Sequence, residues 1–474
     1  MLKSIMSFSV SNIVNLFIGL FTVVVLTRVF SPEVYGVVNI FNTTVATGLS
    51  ILYMGLDSSY IRFYNEPPIN DSNKDLGTKL LLCCLIITFI CALIFSIFFH
   101  KEFAYCFFGF ENRIIVIMIF VSICAQLILR FLNIKYRMDF NIKQFTIQSV
   151  LTQIISKLFI VLAALLSFTI NGVVSFSACS ILAFSLLHIY VQRKMFFSFK
   201  NINNFEDYRK VFLFATFSAP LPVCMNVNIS LTQQIITHLL DVSSVGVYSS
   251  AGYFSSILGA LQGGFTTYWA AYMYRNYKYK QNEIKQVNEY LLLCIIVVFA
   301  CMILGRDVIY LLIGSDYHES KDFFSLVLSY PIFMLAAETT SYGISIMNKM
   351  QYFFACFIVS ICINLWMTYT LIPIVGLKGA AVASFVSGVF LYISRTIIGQ
   401  RLYNSISDIK VTIIDNIIII LMALIPSVFS DVLSNVFVPL LLVMALIINK
   451  ERIFCIKNKL IGLIKLLLNI SAKG

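Results

Sequence analysis

Apolar residues in this chain come in runs about twenty residues long, broken by short polar stretches, and do not alternate with period two. A run of about 20 apolar residues is what an α-helix needs to cross a hydrocarbon core. Fourteen spans are predicted, near 8–29, 36–58, 79–99, 114–134, 146–168, 172–191, 211–239, 246–270, 289–312, 323–347, 352–373, 377–398, 411–429 and 432–449. The last two meet at Ser430-Asp431 and could merge into one hairpin. Without alternation, a lipid-facing strand barrel is excluded.

Composition agrees with this pattern. Hydrophobic residues make up 59% of the 474 and charged residues 12%, against about 25% charged in a soluble domain. Mean hydropathy is +0.89. The chain reads as an integral membrane protein, with no stretch for a separate soluble domain. Its first run lacks a small-residue cleavage site and reads as an uncleaved span. The twelve cysteines sit mostly inside apolar runs, where cysteine packs as a small hydrophobe. The four histidines (His100, His188, His238 and His318) are scattered, so no metal site and no cofactor are expected.

Lysine and arginine orient the spans. With the N-terminus in the cytoplasm, one side collects Lys3, the Arg62–Lys79, Arg130–Lys143, Arg193–Lys210, Arg275–Lys285 and Arg395–Lys410 groups, Lys349 and the tail cations from Lys450 to Lys473. The other side holds only Arg28, Lys101, Arg113, Arg306, Lys321 and Lys378. This positive-inside asymmetry predicts both termini in the cytoplasm. It also assigns the +12 net charge to anionic lipid head groups and not to nucleic acid. The tail 451–474 is read either as an amphipathic surface helix or as a solvated segment.

Short turns recur at nearly one offset. FSPEVYGVVNIF after the first run matches LDVSSVGVYSSAGYF after the seventh, with Gly36 and Gly246 210 residues apart. INGVVSFSACSILAF matches IVGLKGAAVASFVSG, with Gly172 and Gly376 204 apart. These matches suggest duplication of spans 1–6 and 7–12. The expected fold class is an all-α polytopic membrane protein of about 14 transmembrane helices. It would form two parallel six-helix lobes, 1–200 and 201–405, around a central cavity, with two extra helices and a basic cytoplasmic tail over 406–474. Transporters with such repeats bind substrate near the midplane between them.

LTRVFSPEVYGVVNIF (Leu26–Phe41), GLDSSYIRFYNE (Gly55–Glu66), the run Phe212–Trp269 and INLWMTYTLIPIVGLKGAAVASFVSG (Ile363–Gly388) resemble the polysaccharide transporter branch of the multidrug/oligosaccharidyl-lipid/polysaccharide (MOP) exporter superfamily, in particular its Wzx-type flippases. The resemblance implies a protein of the bacterial inner membrane. It would move undecaprenyl-diphosphate-linked oligosaccharides to the outer leaflet, for O-antigen or related lipopolysaccharide and surface-polysaccharide synthesis. Polysaccharide polymerase and chain-length machinery become possible partners, and two pseudo-equivalent halves could suffice as a monomer. Many relatives carry an Asp-Arg pair midway along span seven. This chain has Thr232, Gln233 and Gln234 there, which puts a charge-dependent role at that place in doubt.

Such transport breaks no bond, so no catalytic set is expected; it needs a wet cavity and a cation for the diphosphate. Lys157, inside span five, is the first candidate, with Gln153 one turn earlier and Gln148 and Gln144 continuing the stripe; snorkelling to the interface is its competing reading. Glu338 in span ten is the candidate for ion coupling, with Asp57 beside it in that role; a structural acid is the alternative. Arg28 and Arg62 are candidates at the outer and inner mouths, against ordinary interfacial anchoring. Asn226 and Gln233 are candidates for sugar hydroxyls, against interhelical hydrogen bonds. The aromatic group from Tyr248 to Tyr274, Trp269 included, reads first as an interface belt. Pro220, Pro222, Pro331 and Pro373 are expected to kink their spans.

Polymerases and ligases of lipid-linked glycans usually carry a large outer loop. The longest outer loop here, around Gly314–Lys321, is short, and an enzyme is disfavoured. A lipid II or teichoic-type precursor flippase and a drug exporter of the same superfamily remain open.

Overall fold

The computed structural model describes residues 17–68, 71–139, 141–166, 169–196, 205–347 and 349–454. Most of the basic tail and the start of the first expected span lie outside them. Among these residues there are helices and no strands. The helices are α1 (Phe17–Val29), α2 (Pro32–Leu52), α3 (Leu56–Phe63), α4 (Asn73–Ile97), α5 (His100–Phe108), α6 (Arg113–Met138), α7 (Ile142–Leu165), α8 (Ile170–Phe196), α9 (Phe205–Ser218) and α10 (Pro220–Leu239). They continue with α11 (Val242–Asn276), α12 (Gln281–Leu304), α13 (Arg306–Leu312), a 3₁₀ turn (Ser315–Phe323), α14 (Phe324–Thr340), α15 (Gly343–Ile346), α16 (Met350–Val375), α17 (Leu377–Leu402), α18 (Ile409–Val428) and α19 (Asp431–Ile448).

Local chemistry sets several ends. Ser31 caps α2, with Pro32 in its first turn. Ser72 and Asp75 close a capping box on α4, satisfying donors that have no partner inside the helix. Asn112 accepts from the amides of Ile114 and Ile115 to start α6. Gly376, at φ +63, turns α16 into α17 in a conformation that a side chain would strain.

Among the described residues, eleven helices are long and apolar enough to cross a membrane, or twelve if the bent pair α9 and α10 makes one span. The expected fourteen are not all found among the described residues, for two reasons. Only the short stretch Phe17–Val29 of the first run is described. Helix α11 carries Ser, Thr, Gly, Gln and Tyr along its 35 residues, which lowers its hydropathy. Spans thirteen and fourteen are separate helices, α18 and α19. Prolines act as expected at the α9–α10 bend of 40°, whereas Pro331 and Pro373 lie inside α14 and α16.

The chain forms two units. The first comprises Met1–Ser250 and Ile313–His318, the second Ala251–Leu312 and Glu319–Gly474. In the first, α6 is central and packs on α2, α4, α7 and α8, while α2 also packs on α10 and α3 on α9. In the second, α14 is central. Fifteen of its 17 residues are buried, against α12, α17 and α18. Helices α18 and α19 dock on α12. A buried network holds them: Asp415 accepts from Asn449 Nδ2 (2.8 Å) and pairs with Arg452 (3.1 Å), which also pairs with Glu289 (3.2 Å).

Candidate functional site

Helix α7 runs through an apolar stretch interrupted by Gln148, Gln153 and Lys157. The three polar side chains have different surroundings. Gln148 is buried and donates to the Leu129 carbonyl (2.8 Å) while accepting from Asn133 (3.3 Å), so it ties α7 to α6. Gln144 sits at the start of the helix with Asn141. Gln153 and Lys157 are half-buried, and neither makes a side-chain hydrogen bond or ion pair among the described residues. Lys157 stands eight residues before the last residue of α7, about 12 Å of helix rise and beyond the reach of a lysine side chain. A cation at such depth costs about 2.5–3.5 kcal/mol on insertion scales, and nothing in α7 offsets it.

The second unit holds the other charged centre. Glu338 is buried near the end of α14, and its Oε1 accepts from Gln262 of α11 (3.2 Å). Neighbouring Thr339 donates to Asn288 of α12 (2.7 Å), and Thr340 shares a hydrogen bond with Thr396 of α17 (2.6 Å). Helix α14 ends at Ser341, whose hydroxyl turns back to the Ala337 carbonyl (2.6 Å). Arg395 of α17 reaches this end. Its Nη2 donates to Ser341 Oγ (2.9 Å), its Nη1 meets Met334 Sδ (3.8 Å), and its guanidinium lies 4.1 Å from the Phe353 ring centroid. Arg395 is 3% exposed, and its Nε has no acceptor among the described residues.

The charge asymmetry assigns Arg395 to the cytoplasmic loops, although it falls inside the span expected at 377–398. That position is the signal that marks it. Lys135 was grouped with the same loops, but it is buried and bonded to Tyr64 (2.7 Å) and Asp139 (2.9 Å). The Tyr64 hydroxyl, desolvated and bonded to Asp139, is held protonated far above the usual phenol range. Arg306, assigned to an outer loop, is buried and paired with Asp431 (2.7 Å).

The other candidates fall as follows. Asp57 is buried and paired with Arg130 (2.9 Å). Arg28 is exposed in α1. Arg62 is exposed and paired with Glu66 (2.9 Å). Asn226 donates to the Pro222 carbonyl within α10 (3.0 Å). Gln233 accepts from Thr43 of α2 and donates to Ser249 of α11 (3.5 Å), so its amide joins three helices. Trp269 is exposed to neither lipid nor water. It is fully buried, stacked between Phe265 and Tyr272 at 5.6 Å from each, in a core with Met273 and Ile284.

These helices form the fold of a multi-pass membrane protein. The fold is similar to that of the lipid II flippase MurJ in an inward closed conformation, with TM-score 0.70 and 13% identity over 96% of this chain and 99% of that one. It is also similar to an inward-facing multidrug resistance MATE family transporter (TM-score 0.56, 15% identity, 82% and 94% covered). A third similar structure is a MOP superfamily transporter from Pyrococcus furiosus (TM-score 0.53, 13% identity, 84% and 95% covered). No curated protein matches the sequence. The chain belongs to the polysaccharide biosynthesis protein family, whose profile matches residues 1–274.

Proposed function

We propose that this chain is a flippase that carries undecaprenyl-diphosphate-linked oligosaccharide repeat units across the bacterial cytoplasmic membrane, by alternating access, for O-antigen or a related surface polysaccharide. The observation that carries this reading is Lys157, a cation deep in an apolar helix with no protein partner among the described residues. An unpaired intramembrane cation is retained for an anion that comes and goes. The diphosphate of a lipid-linked sugar supplies that anion through charge-assisted hydrogen bonds. Gln153, one turn away, offers an amide to the same group. The glycan passes through the wet interior while the lipid tail stays in the bilayer. No covalent step is involved, and the chain is not an enzyme. Glu338 serves as the ion-coupling carboxylate, because a buried acid can exist neutral or charged according to state. The chain acts as a monomer with both termini in the cytoplasm, and it delivers its cargo to polymerase and chain-length machinery. Membership of the polysaccharide biosynthesis family favours a glycan cargo over a drug.

The test is deletion and complementation in the host. Complete single repeat units should accumulate on the inner leaflet of the deletion strain. Wild type should clear them, whereas Lys157→Ala, inserted at normal level, should not. Normal surface polysaccharide with altered drug sensitivity would move the protein to the exporter reading.

A further inference from the structure

Two opposite charges lie buried in the second unit without touching. Met334, Glu338 and Ser341 occupy positions i, i+4 and i+7 of the α14 segment, one stripe along one face. The Arg395 guanidinium spans that stripe, with Nη1 at Met334 Sδ and Nη2 at Ser341 Oγ. It therefore straddles the level of Glu338. Yet no carboxylate lies within ion-pair distance of Arg395 among the described residues, and its Nε has no acceptor. Ser341 and the Phe353 ring hold the guanidinium. Gln262 holds Glu338 by one amide hydrogen bond to Oε1.

A buried guanidinium and a buried carboxylate left apart each carry a desolvation cost that a direct pair would offset. We propose that Arg395 is a positioning residue for Glu338: the carboxylate holds either a monovalent cation or Arg395, and the exchange links cation movement to rearrangement at the end of α14. The conformation described is the open form of the couple, with Glu338 available to a proton or a sodium ion. The inference rests on the reading of Glu338 as the coupling carboxylate. The groups facing Glu338 are few. Arg395 comes from α17, Gln262 from α11, and Tyr342 follows α14 itself. Helix α12 presents the neutral Asn288 to Thr339. On α18, Asp415 is committed to Asn449 and Arg452.

Infrared titration of the purified full-length chain tests this without transport or substrate. The carbonyl band of the protonated acid is the one that Glu338→Gln removes. Loss of a nearby positive charge disfavours the ionised carboxylate, so in Arg395→Gln the band should persist to higher pH, while Arg395→Lys stays near wild type. Ser341→Ala frees the guanidinium to close on Glu338 and should lower the midpoint, which also covers the case in which Arg395→Gln does not fold. Repeating the wild-type titration with sodium chloride in place of choline chloride separates the two cations. A sodium-dependent fall in the midpoint identifies sodium, and an unchanged midpoint identifies the proton. A midpoint that moves in neither Arg395→Gln nor Ser341→Ala overturns the proposal. So does the absence of any band removed by Glu338→Gln. Failure of glycan complementation with these midpoint shifts intact would reject the flippase reading and leave the couple standing.

Discussion

Gly36 and Gly246 meet in the first turns of α2 and α11, and each faces a carbonyl four residues before the other. A methyl group on Gly36 would overlap the Val242 carbonyl oxygen, and one on Gly246 would overlap that of Pro32. Pro32 and Val242 are 210 residues apart, as are the two glycines. The contact is therefore reciprocal at an offset of 210 residues. Thr27 and Thr237 share that offset, and each lies against a glycine, Gly314 and Gly109 respectively. Backbones approach this closely in membrane helices only where the side chain is absent.

Valine at either glycine should force the two backbones apart. Overpacking costs typically about 1–3 kcal/mol, so Gly36→Val and Gly246→Val should each lower the thermal unfolding midpoint of the detergent-purified chain by several degrees. Gly252→Ala, at a helical position of α11 with no atom within 4 Å of the added carbon, should leave the midpoint unchanged or slightly higher. Equal behaviour of the three would show that the close approach contributes nothing.

Arg130 is half-exposed but pairs with Asp57, which is buried. Removing one partner of a buried pair leaves an uncompensated charge, at about 3–5 kcal/mol; exposure of Arg130 reduces this by solvent screening. Arg130→Ala should therefore destabilise by about 1–3 kcal/mol, and Asp57→Asn in the same chain should restore part of the loss. A double-mutant cycle in a denaturant titration measures the coupling. Additive effects would mean that the pair is only geometric.

Asp431, in the first turn of α19, receives both Arg306 (2.7 Å) and Lys321 (2.6 Å), and Lys321 also bonds Asp307 (2.8 Å). Asp431→Asn leaves the buried Arg306 without its counter-charge and should loosen α19. Hydrogen–deuterium exchange should then rise over 431–448 and stay unchanged in α16 and α17. Lys321 holds the Asp307 carboxyl below the ordinary aspartate range. Its contribution is fully present above the unfolded value near pH 4 and fades as pH falls through the lowered folded value. Acidification below about pH 4 should reproduce part of the Asp431→Asn effect in wild type.

Length and apolarity made the spans legible, because about 20 apolar residues have few alternatives in a bilayer. The breaks were not legible. The left-handed Met54 and Gly55 between α2 and α3, and the end of α14 at Ser341, depend on packing against other helices. Lys157 stood out because a cation in an apolar run has no local explanation. Arg395 did not, because a charge three residues inside a predicted span end reads as interfacial until its partners are known. Polarity alone also does not tell an amide that joins helices from one that faces a cavity. Gln233 lies between Thr43 and Ser249, while Gln153 has no side-chain bond among the described residues.

The chain has two tryptophans in opposite surroundings. Trp269 is fully buried between two rings, whereas Trp366 is 69% exposed on α16. In lipid bilayers, a brominated acyl-chain quencher should strongly reduce the emission of the Trp269→Phe variant, which retains Trp366. It should barely affect the Trp366→Phe variant. Similar quenching of both would return Trp269 to the interface belt that its sequence neighbours suggest.

Lys157 separates a functional cation from a structural one by the sign of a stability change. A lysine that held α7 to a neighbour would destabilise the protein when removed. An unpaired one carries only its desolvation cost, so Lys157→Met should insert as well as wild type and unfold at an equal or higher temperature. The same variant should accumulate lipid-linked repeat units as the deletion strain does. Lys157→Arg keeps the charge, with a planar fork in place of a point charge, and should restore transport in part. A fall of several degrees for Lys157→Met with transport intact would reverse the assignment and make the lysine part of the scaffold. Loss of transport with stability unchanged leaves the diphosphate as the partner that α7 does not supply.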